Sequence, residues 1–451
     1  MDELVIQSRR VVANGTTQPA AVVIENGRIA SLIPYISSPR NAETLDYGDS
    51  VIMAGLVDSH VHVNEPGRTE WEGFETATDA AAAGGVTTIV DMPLNCIPVT
   101  TSAAALREKL AAVDGRLRVD AAFWGGVVPG NAGELEGLAA AGARGCKAFM
   151  CHSGIDDFPQ ATEEDLRRAM PVLARLGLPL LLHAELCLAS PGVSGDAKAY
   201  DSYLRSRPAR WEVDAIALAA RLCEETRCRT HIVHLSAAEA LPIVEKEKKA
   251  GLPFSAETCP HYLTFAAEEI EPGHTEYKCA PPIRERANRE KLWAALRSGV
   301  LDMIVSDHSP CLPELKKRQA GDFAQAWGGI SGLQFTLPAA WTGLSARGGT
   351  LAELSRLVSE APARLAGLER KGRLAPGLDA DVAVWDPEAE FEVRPELVRH
   401  RHKLTPYSGR ALSGRTRAVF LRGRKIFEDG PVGERAGRPL VPTEARWTSP
   451  N

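Results

Sequence analysis

Six residues of this 451-residue chain have side chains and settings suited to metal chemistry: His60, His62, Lys147, His183, His234 and Asp307. The first two stand in Gly55-Leu56-Val57-Asp58-Ser59-His60-Val61-His62-Val63, just before Asn64-Glu65-Pro66-Gly67. Residues i and i+2 of an extended strand share a face, so the two imidazoles project together at a strand end. Two convergent imidazoles on rigid backbone make half of a metal site. A lone His-x-His is as easily the polar face of a strand. The other four residues decide the matter, because each also closes a short apolar run: Gly145-Cys146-Lys147, Leu180-Leu181-Leu182-His183, Ile232-Val233-His234 and Met303-Ile304-Val305-Ser306-Asp307.

Each residue type suits a task. Two divalent ions side by side need a bridge that balances their charge. A neutral lysine can take up carbon dioxide as a carbamate and offer one oxygen to each ion. Lys147, between Cys146, Ala148 and Phe149, is in a poor setting for a bare ammonium. Asp307 can ligate one ion and accept a proton from a bridging water, whose pKa a divalent ion brings toward neutrality.

The elements that would hold these residues follow from the pattern. Strands at 86–92, 119–127, 145–150, 179–183, 230–234, 254–258 and 303–307 alternate with alanine-rich helical stretches, giving about eight strand–helix steps from the His60 strand onward. That alternation predicts a parallel sheet, and the number of steps suits a (β/α)8 barrel over residues 53–368, with function at the C-terminal strand ends. Ser102 or Thr101, Thr162 and Ser236 are expected to cap helices, Ser236 with Glu239 as a capping box. Residues 1–52 read as strands, with a hairpin at Asn26-Gly27, and so do residues 369–430. The two ends are expected to pair into one small β-sandwich. The tail, 431–451, rich in Pro, Gly and Arg, is expected to pack loosely.

Composition narrows the class. Apolar residues make up 44% and charged residues 24%, ordinary for a globular chain that can bury a core. The net charge is −6 with no long basic run, which argues against nucleic acid or an anionic membrane as a partner. Met1-Asp2-Glu3-Leu4 lacks the basic and apolar regions of a signal peptide, and no apolar run reaches a membrane span. Nine cysteines without a Cys-x-x-Cys pair predict reduced, mostly buried thiols and a cytoplasmic protein.

The set His60-Val61-His62, Lys147, His183, His234 and Asp307 resembles the signature of the amidohydrolase superfamily, in its cyclic-amidase branch of hydantoinases, dihydropyrimidinases, dihydroorotases and allantoinases. The runs Asn64-Glu65-Pro66-Gly67-Arg68-Thr69-Glu70-Trp71-Glu72-Gly73-Phe74, Asp91-Met92-Pro93-Leu94-Asn95, Ser306-Asp307-His308-Ser309-Pro310-Cys311 and Lys403-Leu404-Thr405-Pro406-Tyr407 are most similar to the allantoinase family. The resemblance implies a barrel with a split β-sandwich, and hydrolytic opening of the hydantoin ring of allantoin to allantoate by a metal-bridging hydroxide. It implies two divalent ions: His60 and His62 on the more buried one, His183 and His234 on the other, and a carbamate formed from CO2 on Lys147 bridging both. Zinc is the first expectation, and cobalt, manganese or iron suit the same ligands. Asp307 would ligate the buried ion and act as general base. Ser309 would meet the ring, while Asn95 and Arg68 would hold the ureido arm or shape the pocket. A homotetramer binding only a small molecule is implied. A hydantoinase or dihydropyrimidinase is the alternative enzyme. A non-catalytic scaffold homologue would typically have lost ligands, and all six are present.

Other residues are set aside. His152, His261, His274, His400 and His402 carry no argument. His231 is expected to point away from His234, toward a helix, and His308 to face outward. Cys151 is expected to be a packed thiol, and Trp327-Gly328-Gly329-Ile330 to form a loop near the site.

Overall fold

Runs rich in Val, Ile and Leu, too short for helices, become strands, and the alanine-rich stretches between them become helices that cover those strands. The computed structural model describes residues 4–37, 42–187 and 193–441. Eight parallel strands form the barrel: β1 (Leu56–Val61), β2 (Val86–Asp91), β3 (Asp120–Phe123), β4 (Cys146–Phe149), β5 (Leu180–His183), β6 (Thr230–Ile232), β7 (Phe254–Thr258) and β8 (Met303–Ile304). β3 pairs with β2, and after Trp124 the chain resumes at Gly125–Gly126 to pair with β4. Closure runs through side chain and bridge rather than a long ladder. Val61 bridges His308, the His62 amide donates to the His308 carbonyl at 2.8 Å, and the Asp58 carboxylate accepts from the Ser306 amide at 3.1 Å. All of β1, β2 and β3 is buried, as a helix-wrapped parallel sheet requires.

The helix caps follow the sequence in two places and depart from it in a third. Thr162 and Asp165 form a capping box on Glu163–Arg175, and Ser102 caps Ala103–Ala112. Ser236 caps nothing. Its hydroxyl donates to the Pro282 carbonyl at 2.6 Å, and a 3-10 turn, Ala238–Ala240, leads into Leu241–Lys249.

The two chain ends meet in one eight-stranded sheet. Val51–Ala54 pairs antiparallel with Val382–Glu392, which continues to Ala411–Leu421 and Arg424–Glu428. Leu4–Ala13 changes register between Ser8 and Val11, so its first half pairs with Glu43–Asp46 and its second with Val51–Ala54. One face, with Ile6, Val22, Ile52, Val382 and Phe420, carries its own core, while Val51, Met53, Trp385 and Val419 join the barrel's core. The expected β unit built from both ends is therefore present and seated on the barrel.

The tail departs from its expectation. Residues 431–441 pack along the barrel. The Ala121 amide donates to the Arg438 carbonyl and the Leu440 amide to the Ala121 carbonyl, while Arg435 pairs with Asp79 at 3.0 Å. A Cβ on Gly437 would stand 2.1 Å from the Val119 carbonyl oxygen, so glycine permits that approach. Residues 442–451 lie outside the described residues, as do the first three of the N-terminal run. Among the described residues no helix is long and apolar enough to cross a membrane.

Candidate active site

The six singled-out residues converge at the C-terminal end of the barrel, and all are buried: His60, His62, Lys147, His183, His234 and Asp307 are each at most 5% exposed. His60 lies on β1 with His62 just past its end, Lys147 on β4, and His183 at the end of β5. His234 and Asp307 stand beyond β6 and β8, in left-handed backbone at φ 39° and 44°. Left-handed backbone is costly for these residue types and clusters at functional sites. Ring centres of His60 lie 5.5 Å from His62 and 5.3 Å from His234, and His183 is 4.6 Å from His234. Asp307 Oδ1 stands 3.2 Å from His60 Nε2 and 3.6 Å from His62 Nε2. The Lys147 ammonium lies 4.8 Å from the Phe149 ring, which in turn stacks on His183.

Electrostatics favour the ligand forms of these groups. Burial lowers His62 and His183 to about 4 and puts His234 well below its ordinary value. All three are therefore neutral imidazoles at pH 7. Burial also lowers Lys147 to about 8, so about a tenth is a free amine at pH 7, far more than for an ordinary lysine. Burial pushes Asp307 up, but His60, His62 and His234 outweigh it and hold the carboxylate ionised. His60 Nε2, His62 Nδ1, His234 Nδ1 and Lys147 Nζ are buried without a hydrogen-bond partner among the described residues. Buried polar atoms are rarely left so, and neutral imidazoles with an ionised carboxylate, beside a lysine that burial makes easier to deprotonate, fit a divalent-ion site.

A second ring of residues holds the first, and the sequence reading missed it. Glu257 on β7 meets His60 Nδ1 at 2.6 Å and His231 Nε2 at 2.9 Å. Glu185 meets His183 Nε2 at 2.8 Å and is clasped by Arg207. Asp58, raised by burial to about 7, accepts from the amides of His60 and Ser306. His231 thus faces Glu257 rather than a helix. Strand alternation fails there because β6 ends at Ile232, before the turn into left-handed backbone at His234. His308 does point away from the cluster, into a buried contact with Glu72 and His400. A usable signal existed: Glu257 is the one charged residue in the Phe254–Thr258 run, and Glu185 stands two residues after His183.

Above the cluster opens a cavity of about 690 Å³ whose lining includes Asn95, Gln160, Arg207, Lys278, Ser309 and Trp327. Ser309 donates to Asp307 Oδ1 at 2.8 Å, and its amide donates to the Ile330 carbonyl. Gly329 makes that approach possible, since a Cβ there would lie 2.3 Å from the Ser309 carbonyl oxygen. Asn95 lies in left-handed backbone with its Oδ1 buried and unpartnered among the described residues. Arg68 is not part of the lining. It donates to the Asn95 carbonyl at 3.1 Å and lies over Trp71, which makes it a support for the Asn95 loop. Trp327 packs edge-on against Trp71 at the rim.

The profile of the amidohydrolase family matches residues 51–426. This chain belongs to the amidohydrolase family. An allantoinase of Streptomyces avermitilis is 46% identical over 442 residues, covering 97% of this chain and 98% of its own. Allantoinases of Arabidopsis thaliana and Saccharomyces cerevisiae are 44% and 42% identical, covering 95% and 94% of this chain and 89% and 95% of their own. Among solved structures, the L-hydantoinase (dihydropyrimidinase) from Arthrobacter aurescens superposes with a TM-score of 0.90 at 29% identity, over 98% of this chain and 100% of its own. The dihydropyrimidinase from Brevibacillus agri gives 0.87 at 26%, over 97% and 98%. The amidohydrolase fold is a TIM barrel with a β-sandwich unit, and this family is metal-dependent. The chain is accordingly a cyclic amidohydrolase with candidate metal-ligand groups that include His60, His62 and Asp307.

Proposed function

We propose that this chain hydrolyses the hydantoin ring of allantoin to allantoate. The observation that carries the reading is near-full-length likeness to relatives named allantoinase at 40–46% identity, against 24–29% for the hydantoinase and dihydropyrimidinase structures. The barrel, 53–368, would hold the chemistry, and the β unit from 1–52 and 369–430 would support it.

His60, His62 and Asp307 would hold one divalent ion and His183 and His234 a second, with Lys147 between them. The free amine of Lys147 would attack carbon dioxide, lose a proton and present two carbamate oxygens. Bound there, divalent ions lower the pKa of water and polarise the carbonyl under attack. Asp307 would take the proton of the attacking water and return it to the ring nitrogen as the C–N bond breaks. Ser309, held against Asp307, would orient that carboxylate and the ring. Asn95 offers an unpartnered carbonyl oxygen to the N–H groups of the ureido arm.

Metal per chain, measured beside turnover of allantoin, a 5-substituted hydantoin and dihydrouracil, tests the reading. About two ions with turnover confined to allantoin supports it. Turnover of only the other two substrates would move the chain to the hydantoinase reading, which the TM-score of 0.90 favours.

A further inference from the structure

Segment 324–329 forms one wall of the active-site cavity, and each of its residues lines it. It has no helix or strand, so its backbone carbonyls need partners from elsewhere. Two lysines supply them. Lys278 Nζ donates to the carbonyls of Ala324 at 3.1 Å and Ala326 at 2.6 Å. Lys316 Nζ donates to the carbonyls of Trp327 at 3.0 Å, Lys278 at 3.1 Å and Gly329. Lys316 is 5% exposed, and its three acceptors are all backbone carbonyls. A buried ammonium costs free energy, which three charge-assisted hydrogen bonds offset.

The far end of this segment meets Ser309. The Ile330 carbonyl accepts from the Ser309 amide at 2.9 Å, and the Gly329 backbone packs so close to the Ser309 carbonyl that no Cβ fits between them. The Ser309 hydroxyl in turn donates to Asp307 Oδ1 at 2.8 Å. Lys316 itself does not line the cavity. The path from its ammonium to Asp307 runs through Gly329, Ile330 and Ser309. We propose that Lys316 is a positioning residue for ring opening: its ammonium seats the 327–330 backbone against Ser309, and Ser309 aims the Asp307 carboxylate. A reacting group displaced by about 1 Å can lose about 10²-fold in rate, so a distant seat can govern turnover. The effect on turnover rests on the reading of Asp307 as general base, while the seating of Ser309 does not.

The test uses the full-length, metal-loaded protein with Lys316→Met, Ser309→Ala and the double variant. Lys316→Met keeps the stem and removes the three donors. Amide hydrogen exchange, read by mass spectrometry after pepsin digestion, reports the seating. We expect exchange in 307–311 and 324–332 to quicken by about tenfold in Lys316→Met, with the rest of the barrel unchanged. Steady-state turnover of allantoin reports the consequence. Its kcat should fall by about 10–100-fold with KM within about twofold, and metal per chain should match the parent. In the Ser309→Ala background the same substitution should cost less than about twofold. Unchanged exchange in both segments overturns the seating. Faster exchange with unchanged kcat, or independent losses in the double variant, overturns the path through Ser309 to Asp307. Faster exchange throughout the barrel, or lost metal, makes Lys316 a support of the whole fold and overturns the proposal. Where Lys316→Met does not fold, Lys316→Gln, which keeps an amide donor, decides by the same pattern at smaller amplitude. If the parent turns over no cyclic ureide, the functional reading fails, and exchange alone still decides whether Lys316 seats Ser309.

Discussion

His60 Nδ1 and Glu257 Oε1 lie 2.6 Å apart, with both side chains buried. This contact fixes the ring so that Nε2, not Nδ1, turns toward Asp307. Burial pushes Glu257 up, yet its partners His60 and His231 outweigh it and hold the carboxylate low, to about 2. An ionised carboxylate behind an imidazole raises its basicity and sets its tautomer.

Glu257→Gln keeps the shape and removes the charge. We expect metal affinity to fall by about 10–100-fold, the usual cost of losing such a partner. Competition with a chelator, followed by metal content, measures it. His231→Asn, one step further out, should cost less.

Lys147 is the residue whose loss separates bridge from bystander. Its Nζ is buried without a hydrogen-bond partner among the described residues, and burial has lowered it to about 8. Lys147→Ala is expected to lose both bound metal and activity. An unchanged metal count would remove Lys147 from the bridge.

Asp307→Asn tests the base. The amide can still meet Ser309 but cannot accept the proton of the attacking water. Turnover should fall by about 10²–10⁴-fold. Near-normal kcat would exclude Asp307 from the proton transfer.

The first ring of the site was legible in the sequence because its histidines and Asp307 stand at or just past the ends of short strands, with Lys147 inside another, and a barrel gathers such strands at one place. The second ring was not, because Glu257 and Glu185 acquire meaning only once β7 and β5 lie beside their partners. Strand alternation, which placed His60 and His62 together, misled for His231. It assumes extended backbone through His234, and that residue has φ 39°. The tail misled for another reason. Its Pro, Gly and Arg content suggested loose packing, yet its backbone groups pair with Ala121 and its Arg435 with Asp79. Composition reports how a segment behaves alone, not which strand edge waits for it.

His400 sets a pH dependence apart from the metal cluster. Burial, and then the neighbouring His308, lower it to about 3, against an ordinary value of 6.5. Between those values the unfolded chain binds a proton that the folded chain does not, so this contribution to stability is whole above pH 6.5 and lost as pH falls toward 3. From pH 6.5 to 5 the loss is about 2 kcal/mol, at roughly 1.4 kcal/mol per pH unit. His400→Gln keeps an acceptor for the Gln334 amide, which now reaches Nε2. Urea unfolding midpoints at pH 7 and pH 5 should therefore diverge less in this variant than in the parent.

We expect Asn95 to bias the choice of substrate rather than to catalyse the reaction. Asn95 lines the cavity, its Oδ1 is buried without a partner among the described residues, and Arg68 holds its loop through the Asn95 carbonyl. A buried acceptor left unpaired costs about 1–3 kcal/mol, so a substrate that satisfies it is favoured over one that does not. Allantoin carries N–H donors on its ureido arm, and unsubstituted hydantoin carries no arm. Asn95→Ala should lower kcat/KM for allantoin by about 10–100-fold and leave that for hydantoin nearly unchanged. Equal losses on both substrates would instead make Asn95 a support for the Pro93–Thr100 loop, whose ends are joined by the Thr100 amide and the Pro93 carbonyl. Arg68→Met discriminates further. If it acts through Asn95, it should reproduce the same substrate bias at smaller amplitude and add little to the double variant.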